Sequence, residues 1–514
     1  MRMRRWVALA AVATLLCAPP VLAQTRAVDA SSLALVRHID PRFQSYNVEM
    51  AEIIGGRFWK PYTHMGAHAP SAPPSGAGQA VALSPDLFET RTPIDLSNRR
   101  LRTLAAALGP AYVRISGSWA NTLYFQDNDN PPPATPPAGY QGVLTRAQWR
   151  GAVNFARAVD AKIVTSFAMN AAVRDANGVW TPVQAQPWLA YNHAIGGDIY
   201  AAELFNEPNL AAHAGGPANY NGAAFARDMA AFRAFAATTA PSMKIVGPGD
   251  SPGLTAPAEY IASEPRPRFD VFDYHFYPAV SQRCAPPESP LMGVTPARAM
   301  TEDYLGLTDR AFAAHKPLRD QYAPNAPIWI TETAGAACGG TPWNATFLDT
   351  FRYLDQMGRL AKQGVDAVFH NTLAASEYGL IDDATLTPRP NYWAALLWRR
   401  LMGTGVLDAG AIEPGFHVYA QCTPQHSGGV TLLAINFSQE ARSITTTTAA
   451  QLYALSASEL QSSTVLLNGR PLALASHDRL PALHGLRVRA GAITIAPHSI
   501  AFIALPGAHN ASCT

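Results

Sequence analysis

The sequence predicts an α/β chain, a (β/α)8 TIM barrel followed by a C-terminal β-sandwich. Three observations predict it. Up to about residue 404, eight apolar or β-branched extended runs alternate with helical segments, the pattern of repeated β/α units. From residue 405 the pattern becomes short alternating strands separated by Gly, Pro, Asn and Ser turns, which reads as an all-β accessory domain. The length, 514 residues, also exceeds what one core holds, because single cores stop growing near ~250–300 residues.

The elements follow in order. Residues 1–23 carry a basic start (Arg2, Arg4, Arg5), an apolar stretch from Val7 to Leu16, and small residues before Ala23, which reads as a secretory signal peptide cut after Ala23 and predicts a secreted or periplasmic protein. Removing it takes the formal net charge from +2 to −1, too little positive charge for a nucleic-acid partner. No other apolar run approaches the ~20 residues of a spanning helix, so no membrane association is expected after signal removal. Residues 24–43 are expected to join the β domain. The barrel is expected over 44–404, with strands at 44–51, 112–117, 162–169, 199–205, 244–248, 269–276, 327–331 and 367–372. Amphipathic helices are clearest at 223–237, 303–321 and 346–363, and the helix at 392–402 closes the series. The stretch Asp127 to Gly139, DNDNPPPATPPAG, reads as a stiff exposed connector. The β-sandwich is expected over 405–514, with strands at 417–421, 430–437 and 493–505.

Two glutamates stand where strands give way to loops. The fourth run ends in Glu203-Leu204-Phe205-Asn206-Glu207-Pro208-Asn209, the seventh in Trp329-Ile330-Thr331-Glu332-Thr333. Glycosidic bond cleavage needs a carboxylic acid and a carboxylate flanking the anomeric carbon, and a barrel places its chemistry at the C-terminal ends of its strands. Asn-Glu-Pro alone is a weak signal, and its position after the fourth strand with a partner after the seventh makes it specific. Glu203, earlier on the same strand, is expected to be structural.

With these residues in view, the chain resembles the heparanase and β-glucuronidase family, glycoside hydrolase family 79, within the clan of retaining barrel glycosidases. The stretches that carry the resemblance are Gly109 to Arg114, Phe205 to Asn209, His275 to Tyr277, Trp329 to Thr333 with Gly339-Gly340, Phe347 to Thr350, and Tyr378 to Asp382 leading to Asn391-Tyr392-Trp393. The resemblance implies Glu207 as acid/base and Glu332 as nucleophile. It further implies Asn206 on the sugar 2-hydroxyl, His275 beside the sugar, Tyr277 holding the nucleophile, Glu49 against sugar hydroxyls, and Tyr378 with the amides of Gly339 and Gly340 on a uronate carboxylate. Where relatives place an aromatic residue before the glycines this chain has Ala337-Cys338, which leaves the register of that loop open by one residue. No Arg or Lys lies within five residues of Tyr378 or Gly340, so carboxylate recognition is expected to rest on neutral donors.

The implied substrate is a glucuronate-containing polysaccharide, heparan sulfate in the first instance, cut by endo-acting double displacement in a monomer needing no cofactor and no metal. An exo-acting glucuronidase uses the same residues. A xylanase or β-glucosidase of the same clan and an inactive carbohydrate-binding barrel are the further alternatives. The connector at 127–139 lacks Lys and Arg, implying weaker heparin affinity than members with a basic segment there and no need for internal processing. Outside the leader four cysteines remain. Cys284 and Cys338 follow neighbouring strands while Cys422 and Cys513 share the β region, so 284–338 with 422–513 is the only connectivity that stays within domains. His64 and His68 have metal-like spacing but no acidic partner close in sequence, and are read as solvated. Trp119 either lines a sugar groove or fills the core; Trp180, Trp329 and Trp393 are read as core.

Overall fold

The computed structural model describes residues 24–65, 85–250, 257–285 and 293–514; the expected signal peptide at 1–23 and His68 lie outside them. Eight parallel strands close into a barrel: β1 (Gln44–Asn47), β2 (Ala111–Ile115), β3 (Ala161–Thr165), β4 (Ile199–Glu203), β5 (Lys244–Asp250), β6 (Val271–Phe276), β7 (Ile328–Thr333) and β8 (Val365–His370), with β8 pairing back onto β1. This is the predicted fold class.

Alternation along the strands builds the interior in layers. Tyr112, Ala201, Val271 and Trp329 belong to an apolar cluster inside the barrel. Two residues further along the same strands stand Arg114, Glu203, Asp273 and Thr331, all buried. Arg114 bonds Glu203 through Nε (2.7 Å) and Nη2 (2.8 Å), and Thr331 Oγ1 donates to Asp273. The polar layer therefore rests on an apolar floor, one pleat above it.

Several elements end differently from their sequence outlines. β1 stops at Asn47, and Glu49 becomes the N-cap of a short helix, Met50–Ile54, in a capping box whose Glu52 side chain accepts from the Glu49 N–H at 2.6 Å. The helix expected over 303–321 divides at Gly306 into Glu302–Leu305 and Leu307–Tyr322. The connector at 127–139 is largely exposed, with Arg146 pairing to Asp127 and Asp129 across it.

Beyond the barrel, Gly405–Leu407, Phe416–Cys422, Val430–Asn436, Ser499–Leu505 and Ala450–Ser456 form one antiparallel sheet. A second, three-stranded sheet pairs Arg442–Thr446 with Gly491–Ile495 and, in parallel, with Gln24–Val28; Leu35–His38 borders the larger sheet beside Gly405–Leu407. The larger sheet is apolar on both faces. Val418, Ala420, Leu432, Ala434, Ala501 and Ile503 fill the sandwich, while Tyr419, Leu433, Ile435, Ile500 and Phe502 join the barrel's core. There the sheet meets the helix Phe347–Gln363, and Gly358 in that helix lies so close to the Tyr419 ring that a Cβ would collide with it. A mid-helix glycine costs ~1 kcal/mol of propensity, a cost offset here by the close packing it permits. The same seam holds an ionic cluster: His417 Nδ1 meets Asp355 at 2.5 Å, Tyr419 donates to the same carboxylate at 2.6 Å, and Glu302 lies 3.1 Å from His417 Nε2. Disulfides join Cys284 to Cys338 and Cys422 to Cys513, the pairing expected from the sequence.

Candidate active site

Glu207 lies four residues past the end of β4, with backbone φ 51° and ψ 72°. Left-handed backbone at a residue with a Cβ costs about 1–2 kcal/mol, and such strain concentrates at functional sites. Its consequence is a sharp turn of the chain, after which Pro208 opens a short 3-10 helix, Pro208–His213. Glu332 reaches the inner face by another route. Both neighbours of β7 shift register across Ile330–Thr333, so β7 carries one extra residue there, and this bulge turns Glu332 toward the same interior that Trp329 and Thr331 face. Oxygens of Glu207 and Glu332 and a ring nitrogen of His275 all lie within 4.8 Å of one another.

The two carboxyl groups have different surroundings. Burial pushes Glu207 above the usual carboxylate range, only partly countered by His275, whose Nδ1 stands 3.0 Å from Glu207 Oε1. Burial acts on Glu332 in the same sense, but the charges of His275 and Arg114 and the bond from Tyr277 outweigh it and hold Glu332 below that range. Tyr277 donates its hydroxyl to Glu332 Oε1 at 2.6 Å, and Arg114 Nη1 donates to Oε2 at 3.1 Å. His275 itself is disfavoured as a cation by burial, yet Glu332 and Glu207 raise it to about 9. One carboxyl is thus biased toward its protonated form and its neighbour toward its ionised form, the division of labour that acid-assisted displacement requires.

The other expected residues gather around this pair. Asn206 Oδ1 accepts from Arg114 Nη2 at 2.7 Å and its backbone N–H donates to Asn121 at 2.9 Å, which fixes the amide beside Glu207. His275, expected beside the sugar, is fully buried and faces the two glutamates instead. Glu49 is buried, and burial together with Glu332 pushes its carboxyl well above the usual range. Gly117, at φ 91°, leaves room for it, since a Cβ there would overlap the Glu49 carboxylate.

Tyr378 is buried, with its hydroxyl 3.3 Å from Asn371 Nδ2. The same amide donates to the Tyr277 hydroxyl at 2.8 Å, so Asn371 links Tyr378 to the residue that holds Glu332. Gly339 and Gly340 have φ of 76° and 82°, and a Cβ on Gly340 would stand 3.1 Å from the Tyr378 ring. Their carbonyls are engaged, by the Glu377 N–H and the Ser281 hydroxyl, whereas neither amide N–H meets an acceptor among the described residues. Two amides without an acceptor among the described residues, next to the Tyr378 ring, make a small receptor for an anion.

Arg114 and Asn371 carry much of this geometry and were not singled out as site residues. The signal for Arg114 was an arginine inside an otherwise apolar strand. Asn371, at the end of β8, has no comparable local signature. Glu203 is the structural carboxylate expected, paired to Arg114. His64 does have an acidic partner, Glu89 at 2.9 Å, contributed by a strand that sequence proximity did not reveal. Trp119 packs on Phe58, ring centroids 4.7 Å apart.

Comparison with known proteins accords with this geometry. The heparanase of Bos taurus is 26% identical over 491 residues, covering 81% of this chain and 86% of that protein. Baicalin-beta-D-glucuronidase of Scutellaria baicalensis is 33% identical over 194 residues, 35% of this chain and 36% of that protein. Of three further plant and avian heparanase relatives the chain spans 65%, 46% and 48% of their length. Among solved structures, the 4-O-alpha-L-rhamnosyl-beta-D-glucuronidase of Fusarium oxysporum superposes with a TM-score of 0.63 at 14% identity, over 94% of this chain and 100% of that one, a likeness of fold. The model of the glycosyl hydrolase family 79 N-terminal domain matches residues 90–358, more than half the chain, and with the barrel and its paired glutamates the chain belongs to glycosyl hydrolase family 79.

Proposed function

We propose that the chain is a retaining β-D-glucuronidase acting by double displacement, with Glu207 as acid/base and Glu332 as nucleophile. The observation that carries the reading is the carboxyl pair, with oxygens within 4.8 Å and pKa values displaced in opposite directions. Retaining enzymes hold their carboxyl groups ~5–5.5 Å apart, whereas inverting ones need ~6.5–9.5 Å to admit a water. In the first step Glu332 attacks C1 while Glu207 gives its proton to the departing glycosidic oxygen, leaving a glycosyl ester on Glu332. In the second, Glu207, now ionised, takes a proton from water as that water's oxygen attacks C1 and frees Glu332.

Around C1, Asn206 presents its amide to the 2-hydroxyl, and Glu49, kept neutral, is able to donate to a ring hydroxyl. Tyr277 and Arg114 steady Glu332. The uronate carboxylate is received by the Tyr378 hydroxyl and the amides of Gly339 and Gly340. The substrate we propose is a heparan-sulfate-like glucuronide cut internally, a reading supported by the heparanase relatives, and the enzyme we propose is a secreted or periplasmic monomer, its export resting on the signal-like stretch at 1–23. Product sizing on heparan sulfate separates this from exo-acting release of glucuronic acid, because only internal cuts give long fragments early.

The roles are tested by chemical rescue. Glu332→Ala abolishes hydrolysis of an aryl β-D-glucuronide, and azide, attacking C1 from the vacated face in a single inverting step, restores turnover as an α-glucuronyl azide. Glu207→Ala spares substrates whose leaving group needs little protonation. Rescue with the opposite stereochemistry, or from the opposite residue, would exchange the roles and refute the assignment.

A further inference from the structure

Among the described residues, Arg283 is a buried cation without a counter-ion. It is 2% exposed, its Nη1 donates to the Lys60 carbonyl at 2.7 Å, and its Nε and Nη2 have no hydrogen-bond partner among the described residues. The guanidinium lies 4.1 Å from the centroid of the Tyr62 ring and 5.9 Å from that of Trp59. Aromatic faces stabilise it in part, but a buried charge left without an opposite charge is strongly disfavoured. Other cations nearby do not share this condition: Arg91 pairs with Asp383 and Arg389 with Asp382. Glu377, the nearest acid of that wall in the chain order of Tyr378, accepts from the Tyr62 N–H at 2.9 Å and forms no ion pair with Arg283.

The position of this charge is specific. Arg283 immediately precedes Cys284, whose disulfide to Cys338 fastens it beside the Gly339–Gly340 turn. Trp59 lies between the two, so close to Gly339 that a Cβ there would stand 2.7 Å from the indole. Arg283 and Gly339 line one cleft of about 680 Å³, which neither Glu207 nor Glu332 borders. Tyr62 ties the wall together, its hydroxyl 2.5 Å from the Ser281 hydroxyl that donates to the Gly340 carbonyl. Nε and Nη2, the free pair, form the edge of a guanidinium that matches a carboxylate or sulfate in bidentate fashion.

We propose that Arg283 determines specificity for an anionic sugar, its missing counter-charge being an anionic group of the substrate held at or beside the Gly339–Gly340 turn. This rests on the glucuronidase reading above and replaces its purely neutral carboxylate site with one backed by a full charge. A uronate carboxylate and a sulfate on the adjoining sugar are both such groups, and they differ in which substrate shows the effect.

The test compares an aryl β-D-glucuronide, the matching aryl β-D-glucoside and size-defined sulfated and desulfated heparan fragments on the wild type, Arg283→Gln and Arg283→Lys. The expected result is a fall of at least tenfold in the glucuronide-to-glucoside ratio of kcat/KM for Arg283→Gln, carried by KM, with partial recovery in Arg283→Lys, which keeps the charge and loses the fork. If the ratio holds but discrimination between sulfated and desulfated fragments is lost, the anion is a sulfate on the adjoining sugar. Loss of both aryl activities in equal proportion, or no change in either comparison, overturns the proposal. Should Arg283→Gln not fold, Arg283→Lys decides alone, an unchanged ratio and unchanged fragment discrimination counting against it. A wild type that cleaves glucosides and not glucuronides would instead overturn the parent reading.

Discussion

Replacing Tyr277 by Phe removes one hydroxyl from Glu332, the proposed nucleophile, and leaves the ring in place. That hydroxyl donates to Glu332 Oε1 at 2.6 Å, and a hydrogen bond to a charged group is worth ~1.5–3 kcal/mol. Part of the loss is recoverable. Asn371 Nδ2, 2.8 Å from the Tyr277 hydroxyl, already stands 3.4 Å from the same carboxylate oxygen and is freed to donate to it, while Arg114 still holds Oε2 at 3.1 Å. The expected net loss is therefore near the lower bound, ~1.5–2 kcal/mol, or about ten- to thirtyfold in kcat/KM. The pH profile supplies the second readout. The lost donor favoured the ionised form of Glu332, so the carboxyl rises and the acid limb of kcat/KM moves to higher pH, while the basic limb, set by Glu207, stays in place. Measuring kcat/KM across the acid range on an aryl β-D-glucuronide checks both. A drop in rate with an unmoved acid limb would show that Tyr277 only packs against the site, and the reasoning would fail.

Two further outcomes follow from the same contacts. Tyr378→Phe is expected to lower kcat/KM on a β-glucuronide by about ten- to a hundredfold, the ~1.5–3 kcal/mol of a hydrogen bond to an anion, and to leave residual β-glucosidase activity nearly unchanged; equal losses on both substrates would assign Tyr378 to the catalytic centre through Asn371. Thermal stability is expected to fall as pH rises from about 6.5 through about 9, because His275 and His417 are raised from 6.5 to about 9 and so bind protons more tightly folded than unfolded. Their contribution is complete below the unfolded value and lost through the folded one, and Asp273, raised to about 8, acts in the same sense. Tm measured against pH would flatten over this window in His417→Gln, and a wild-type Tm that rises toward pH 9 would contradict the assignment.

The strands were legible in the sequence because a parallel barrel buries both faces of each strand and leaves near-continuous apolar runs. That same property blurred their ends. Phe167, Met169, Leu204 and Phe205 lie beyond β3 and β4 yet are buried, so apolar composition continued past the last ladder bond. At β1 a capping box overrode the extended run, and at Gly306 a glycine divided a helix whose apolar face reads as continuous. In the site, Glu207 and Glu332 were recoverable because motif and strand end coincide. Arg283 was not, since its nearness to Gly339 depends on a disulfide between two loops and on Trp59 from the strand Gly56–Trp59. Residues within five positions of Tyr378 carry no cation, while the fold delivers one from Cys284's neighbour.

The pairing of Gln24–Val28 with Arg442–Thr446, and of Leu35–His38 with Gly405–Leu407, means that the sandwich is threaded by both sides of the barrel sequence. The accessory domain is not a cassette. A recombination event that exchanged everything after residue 404 would bring in a sandwich lacking two of its native strands and leave the old ones without partners, alongside a barrel whose contact face still awaits Tyr419 and Phe502. Inheritance of the two units is therefore coupled: a productive exchange requires two simultaneous crossovers, and designers grafting this barrel onto another module face the same two-cut constraint.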